Sequence, residues 1–467
     1  MASDTFDVVV LGAGPAGEVV AGRARDHGLS VAVVEADLVG GECSYWACMP
    51  SKALLRPAQA LTAALRTPGA RQAVTGSVDV AAVLAHRDDL AHSWDDEAQL
   101  PWLERRDIEL VRGHGRLRGE RRVEVTAGDG EVTELHATAA VVVATGSVAS
   151  LPPVAGLAES EPWDNRDATS AREVPSSLLV LGGGPVGAEM AQAYRRLGAA
   201  AVTIVEAEDR LLPGSEPEAS AALTEAFVED GIEIVTGAMA DSVDRDGGGP
   251  VRLRLDSGRV VEAAEILVAT GRRPRTEDIG LETIGMEPGE RLDVDDALRV
   301  RAVEGGWLYA VGDVNERALL THHGKYQARI AGDAIAGLPS VAWADHDAVV
   351  SVVFTDPEVA SVGLSEREAR QRGLDVATAS ADPTATAGAA THGDQPPGVA
   401  KLVVDQAREV IVGGTFVGPS AGEMIHALTI AIVGEVPLSR LEHAVAPYPT
   451  ISEVWLLLVE EARGRQT

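Results

Sequence analysis

In 467 residues this chain has two cysteines, Cys43 and Cys48, three lysines, Lys52, Lys325 and Lys401, and an aromatic content of 3%. Two cysteines exclude a disulfide-stapled scaffold. With no second Cys/His cluster at ligand spacing, a zinc site falls short of its four N/S ligands, and no metal is expected. Long apolar runs are missing too: none reaches the ~18 to 20 residues of a spanning helix. Met1-Ala2-Ser3-Asp4 lacks a charged segment with an apolar one behind it, so a cytoplasmic location is expected. Positive charge is also scarce. The 71 acidic against 40 basic residues give a formal charge of -31, which argues against nucleic acid and anionic membrane as partners. Because arginine supplies nearly all cations, Lys52 stands out. In a reducing cytosol a lone cysteine pair is expected to be catalytic rather than a staple.

What the chain does have is organised around Gly40-Gly41-Glu42-Cys43-Ser44-Tyr45-Trp46-Ala47-Cys48-Met49-Pro50-Ser51-Lys52. Two thiols after a Gly-Gly turn, running into the helical pattern Ala53-Leu54-Leu55, would lie where a helix start lowers thiol pKa. Spacing alone leaves two buried structural cysteines open as the alternative. Upstream, Asp7–Leu11 reads as a buried strand leading into Gly12-Ala13-Gly14-Pro15-Ala16-Gly17, a helix to about His27, and a second strand ending at Glu35. This is a βαβ unit with glycines where a tight turn and pyrophosphate approach need them, and an acid where a ribose hydroxyl needs an acceptor.

The unit recurs. Leu178–Leu181 enters Gly182-Gly183-Gly184-Pro185-Val186-Gly187, a helix runs to Leu197, and the next strand ends at Glu206. Each copy closes on a strand followed by Ala-Thr-Gly: Ala144-Thr145-Gly146-Ser147 and Ala269-Thr270-Gly271. Two dinucleotide-binding units imply two dinucleotides and electron transfer between them. Asp313 stands just past the strand Trp307–Val311, and from about Val349 alternating strands and helices read as a third domain of α+β type. Within it Pro383–Gly398 reads as an exposed loop. The expected architecture is α/β, with one dinucleotide-binding domain over 1–150 and 275–344, a second over 151–274, and a C-terminal domain over 345–467.

The ordered set of motifs resembles the pyridine nucleotide–disulfide oxidoreductase family, which includes dihydrolipoamide dehydrogenase, glutathione reductase and mercuric reductase, over essentially the whole chain. The resemblance implies two Rossmann-like domains for FAD and NAD, a C-terminal dimerisation domain, a homodimer, and a small-molecule electron acceptor. It implies FAD on Gly12, Gly14, Gly17, Glu35, Gly41, Gly115, Thr145, Gly146, Ser147, Asp313, Leu320 and Thr321. Gly182, Gly184, Gly187, Glu206 and Gly271 would hold the nicotinamide dinucleotide. Cys48 would face the flavin and Cys43 the substrate. Lys52 would pair with Glu189 near the flavin ring, where a cation stabilises charge on the reduced isoalloxazine. Glu206, an acceptor for a ribose 2′-hydroxyl that would repel a 2′-phosphate, predicts NADH over NADPH.

The C-terminal segment departs from the pattern. Where disulfide-reducing members have His-Pro-Thr-x-x-Glu, contributed by the partner subunit, this chain has Tyr448-Pro449-Thr450-Ile451-Ser452-Glu453. Tyr448 stands at the His position, and His443 reads as a surface or packing residue. An ordinary tyrosine has pKa ~10 against ~6.5 for histidine, so it donates protons but is a poor base near pH 7. General acid–base catalysis is worth ~10² to 10⁴ in rate, so the substitution opens a second reading, reduction of quinones. Mercuric reductases resemble the chain in having Tyr here but also carry a C-terminal cysteine pair, and mercuric ion is the less favoured acceptor. A non-enzymatic redox-sensing subunit is disfavoured by the joint presence of Cys43, Cys48, Lys52 and Glu189. Tyr45 and Trp46, aromatic where relatives usually have smaller residues, are expected either to narrow a substrate channel or to pack against the dimer partner.

Overall fold

The structure, a computed structural model, describes residues 3–396 and 398–464. Met1-Ala2 and Arg465-Gln466-Thr467, which entered the leader and C-terminal readings, and Pro397, within the stretch read as loop, lie outside the described residues. The chain divides into two units. One comprises Met1–Pro50, Asp88–Ala149 and Arg272–Asp345, the other Ser51–Arg87, Ser150–Gly271 and His346–Thr467.

The first unit is built on a seven-stranded sheet. Strands Ile108–Arg112, Val31–Glu35, Ser3–Leu11, Val132–Val143 and Leu308–Ala310 pair in parallel. Arg122–Thr126 and His114–Leu117 extend the sheet antiparallel from the first half of Val132–Val143. Parallel strands covered on both faces read as continuous apolar runs, and Val8, Val9, Val10, Val141, Val142 and Val143 are fully buried. Helix Pro15–Asp26 packs on this sheet, and Thr321–Ile335 packs against that helix. Register aligns Leu11 with Val143 and Val143 with Ala310. The loops that follow, carrying Gly12, Thr145–Ser147 and Gly312–Asp313, therefore leave one edge side by side, at the carboxyl ends of the strands where α/β sheets bind ligands.

Among the described residues the second unit holds three sheets. Glu233–Val235, Ala201–Val205, Ser177–Leu181 and Glu265–Val268 form a parallel sheet with the connectivity of the first unit's core. A small antiparallel sheet, Ala240–Arg245, Val251–Leu255 and Val260–Ala263, accompanies it. The third is antiparallel, in the order Val350–Val353, Glu358–Gly363, Val410–Gly418, Val399–Asp405, Val376–Ala381.

The stretch read as exposed loop departs from that expectation. Pro383–Ala385 and Ala387–Ala390 are short helical turns, with Pro383, Thr386, Gly388 and Ala389 buried. Asp382 and Thr386 explain the difference, because their side chains accept from the N–H groups of Thr384 and Ala389 and cap each turn. Among the described residues no helix is long and apolar enough to cross a membrane.

Candidate redox-active site

In the first unit the helix Pro15–Asp26 begins at Gly14 with no side chain capping its N–H groups, which leaves them and the helix dipole for an anion. The backbone around it is closely fitted: a Cβ on Gly12 would lie 2.5 Å from Ala144 O, and one on Gly17 only 1.9 Å from Gly12 O. Gly41, at the start of the cysteine box, lies against this loop, its Cβ position 2.7 Å from Gly14 Cα. Glu35 sits at the end of Val31–Glu35. Its Oε2 accepts from Ala13 N at 2.6 Å and its Oε1 from Asp37 N at 2.8 Å. Burial pushes its carboxyl above the ordinary value, and those two N–H donors oppose the shift.

On the neighbouring loops Ser147 Oγ donates to Asp313 Oδ2 at 2.6 Å and accepts from Arg272 Nε at 2.7 Å. Thr145 Oγ1 donates to Arg275 O, while Gly146 O accepts from Arg275 N. Gly115 plays a packing part, since its Cβ position is filled by Leu11 and Val34 side chains within 2.9 Å. Leu320 precedes the helix Thr321–Ile335 as its N-cap residue.

Cys43 and Cys48 are joined by a disulfide, with their Cα atoms 4.8 Å apart. They sit on two successive helices rather than one. Cys43 is on Gly41–Tyr45, and Cys48 is the first residue of Cys48–Arg66. A bonded sulfur has no proton to give, so Thr321 Oγ1 donates to Cys48 Sγ across 3.3 Å. Neither expectation for Tyr45 holds. Its ring is fully buried within the first unit, leaving no surface to line a channel or meet a partner, and its hydroxyl donates to Val39 O at 2.9 Å. Burial pushes that phenol up to about 12, so it stays a donor.

In the second unit Lys52 Nζ lies 2.9 Å from Glu189 Oε2, with Glu189 buried. Phe354, one of four phenylalanines and unnoticed in the sequence, completes this arrangement. Its N–H donates to Glu189 Oε1 at 3.0 Å, and its ring centroid lies 4.8 Å from Lys52 Nζ. The second Gly motif repeats the first in detail. The helix Pro185–Arg196 starts uncapped at Gly184, and Glu206 accepts from Gly183 N at 2.6 Å and Glu208 N at 2.8 Å. At the far end Tyr448 is 77% exposed, as is His443 for the most part. Pro449, Thr450, Ile451 and Ser452 border a cavity of about 360 Å³ that Trp455, Met424, Glu423 and His392 also line.

Two bare glycine turns at strand ends, each answered by a glutamate one strand away, and a cysteine pair against the first of them, define a family. Residues 6–328 match the model of pyridine nucleotide-disulphide oxidoreductases. Residues 349–458 match that family's dimerisation domain. The chain belongs to the pyridine nucleotide–disulphide oxidoreductase family. It is similar to the dihydrolipoyl dehydrogenase of Thermus scotoductus, 35% identical over 99% of this chain and 98% of that one. The mercuric reductase of Staphylococcus aureus is 30% identical over 96% of this chain and 81% of its own length. Among solved structures, LpdA from Mycobacterium tuberculosis superposes with a TM-score of 0.85 at 29% identity, covering 99% of this chain and all of that one. The Escherichia coli flavoprotein disulfide reductase RclA shares the fold, with a TM-score of 0.84 at 23% identity over 97% of this chain and 99% of that one.

The chain is therefore an FAD-dependent oxidoreductase with a redox-active Cys43–Cys48 disulfide, two dinucleotide-binding domains and a C-terminal dimerisation domain that supports a homodimer. FAD fits the residues present. The uncapped helix start at Gly14 can receive a diphosphate, and the close backbone packing at Gly12 and Gly17 leaves no room there for a side chain. Besides Phe354, sequence reasoning missed Arg272, which follows an Ala-Thr-Gly motif and touches both Ser147 and the Asp313 neighbourhood. Its position after a motif already singled out was the available signal.

Proposed function

We propose that this chain passes electrons from NADH through FAD and the Cys43–Cys48 disulfide to a disulfide or related small-molecule acceptor, a dithiol–disulfide couple being what the name of its dihydrolipoyl dehydrogenase relatives points to. The observation that carries the reading is the bonded cysteine pair within the unit that also holds the uncapped Gly14 helix start and Asp313. Bound FAD supplies the chemistry that converts hydride from the nicotinamide into electrons for the disulfide. The chain's own residues do the rest. Gly12, Gly14, Gly17 and Gly41 admit the diphosphate, while Glu35 and Asp313 offer acceptors to hydroxyls. Thr321 donates to Cys48 Sγ in the disulfide and is placed to donate to its thiolate after reduction. Lys52, held by Glu189 and Phe354, provides fixed positive charge. In this reading residues 1–150 with 275–344 bind FAD, 151–274 bind the nicotinamide dinucleotide, and the enzyme works in the cytoplasm.

One observation favours a second acceptor class, quinones. Tyr448, which takes the place of the family's histidine base in the sequence pattern, is exposed, and Glu453, five residues on, has an Oε2 that is buried without a hydrogen-bond partner among the described residues. A dithiol product needs a group that protonates a leaving thiolate and later deprotonates Cys43; reduction of a quinone needs only a proton donor. The test is NADH oxidation against a panel of small disulfides, quinones and mercuric ion, for wild type and Tyr448→Phe. Disulfide turnover at kcat/KM of about 10⁴ M⁻¹s⁻¹ or more supports the first reading. Quinone turnover that Tyr448→Phe slows, with flavin reduction by NADH intact, moves the conclusion to the second.

A further inference from the structure

The segment that follows the helix Val80–Leu90 carries a conformation that side-chain-bearing residues avoid. His92, Ser93 and Trp94 have φ of +49°, +50° and +57°, three consecutive left-handed residues with no glycine among them. Such strain persists only where surrounding contacts hold it. Here the contacts lead to the cysteine box. Trp94 Nε1 donates to Tyr45 O at 3.1 Å, inside the stretch between the two cysteines. Two residues on, buried Asp96 accepts from Val39 N at 2.7 Å and from Arg112 at 2.6 Å. The Tyr45 hydroxyl then closes the arc by donating to Val39 O. Residues 39–45 are thus gripped at both ends by the short segment 94–96, and the left-handed turn aims the indole.

We propose that Trp94 is a positioning residue for the redox couple, holding the Tyr45 carbonyl so that the two thiols of the reduced form stay within bonding reach. Reduction breaks the Cys43–Cys48 S–S bond and takes up two electrons and two protons to give two thiols. In the disulfide form the covalent bond itself restrains the 43–48 turn. In the dithiol form that restraint is gone, and the Trp94 hydrogen bond adds to the buried Tyr45 ring and its bond to Val39 O in limiting the turn's freedom. Keeping the Trp94 bond costs the freed turn conformational entropy that the disulfide form has already lost, so the bond is stronger in the disulfide form and weights the equilibrium toward it. One neutral hydrogen bond corresponds to about three- to tenfold in that equilibrium, tenfold being about 30 mV for a two-electron couple. The inference rests on the redox-active disulfide and is independent of the acceptor.

The test uses full-length, FAD-loaded protein equilibrated in buffers of reduced and cyclised dithiothreitol, which supplies the electrons and is oxidised to its cyclic disulfide. After quenching, alkylated Cys43 and Cys48 are counted by mass spectrometry. Trp94→Phe is expected to shift the equilibrium three- to tenfold toward the dithiol. Replacing Trp94 by benzothienylalanine, which keeps the bicyclic shape and lacks the N–H, should do the same, and this variant serves if the phenylalanine leaves the fold damaged. Ser93→Gly relieves the left-handed backbone but retains the indole, and should titrate like wild type. A benzothienylalanine protein with the wild-type midpoint overturns the proposal. So does a Ser93→Gly protein that shifts as far as Trp94→Phe, since the effect would then belong to the segment and not to the hydrogen bond.

Discussion

At the scale of single residues, the carboxylates near the two glycine turns decide most of the chemistry. Glu18, in the first turn of the helix Pro15–Asp26, has its carboxyl pushed up to about 7 by burial, with Lys325 opposing and Glu35 adding to the shift. Below its unfolded value of 4.5 the group is neutral in both states and stability is unaffected. Between there and about 7 the unfolded chain releases its proton while the folded chain keeps it. Stability therefore falls as pH rises through that window and levels off above it. Glu18→Gln should remove this slope and stabilise the protein at pH 8 by something on the order of 2 kcal/mol, discounted for partial exposure. Denaturant unfolding of the FAD-loaded protein at pH 5 and pH 8 measures it, and equal slopes for variant and wild type would contradict the assignment. Glu206 bears on the choice of nicotinamide. Its carboxylate already accepts two backbone N–H groups, and Arg210, four residues on, bonds to Pro213 O and Asp209. A 2′-phosphate would meet the negative charge of Glu206, so kcat/KM should favour NADH, and Glu206→Ala should narrow the gap. Equal kcat/KM for NADH and NADPH in the wild type would refute this.

Elements turn such residues into a site, and here the pattern was legible to different depths. The two parallel sheets were readable because strands buried on both faces are unbroken apolar runs, as in Val8-Val9-Val10 and Leu178-Leu179-Val180. The strands Val376–Ala381 and Val251–Leu255 were not, because they are short and interrupted by exposed residues, Thr378 and Ser380 in one and Arg252 and Arg254 in the other, so neither makes an unbroken apolar run. Trp94 and Phe354 were equally invisible, since what matters in each case is a partner more than forty positions away along the chain, the Tyr45 carbonyl for Trp94 and the Glu189 carboxylate for Phe354. The short helix Ala387–Ala390 was hidden by its Gly- and Ala-rich composition, yet it seats the segment that carries Tyr448. A Cβ on Gly388 would lie 2.1 Å from Thr450 C and 2.4 Å from Ile451 N. Gly388→Ala must therefore displace Pro449–Ile451, at about 1 to 3 kcal/mol. Reduction of the acceptor should slow while flavin reduction by NADH, followed by stopped flow, keeps its wild-type rate. Loss of both rates together would mean that the substitution unsettles more than this seat.

At the scale of the whole molecule, the exposed apolar residues of the C-terminal segment call for a covering surface. Val445 is 90% exposed, Ile430 58%, Val433 52% and Leu456 51%, alongside Tyr448 at 77%. Apolar area left in water costs roughly 25 cal/mol per Å², and clusters of it mark interaction surfaces. The dimerisation domain matched over residues 349–458 supplies the partner: a second copy of the chain. In the family pattern Tyr448 and Glu453 then serve the Cys43 of the other protomer, and hybrid dimers test that arrangement directly. One protomer carries Cys43→Ser, the other Tyr448→Phe with Glu453→Gln, and each homodimer alone should be weak in acceptor reduction. If the segment works across the boundary, one of the two sites in the hybrid combines intact Cys43 with intact Tyr448, and the other combines both defects. Activity should then recover to about half of wild type per dimer. If the segment instead serves its own chain, every site in the hybrid retains one defect. Differentially tagged hybrids no more active than the two parents would place Tyr448 beside the cysteines of its own protomer.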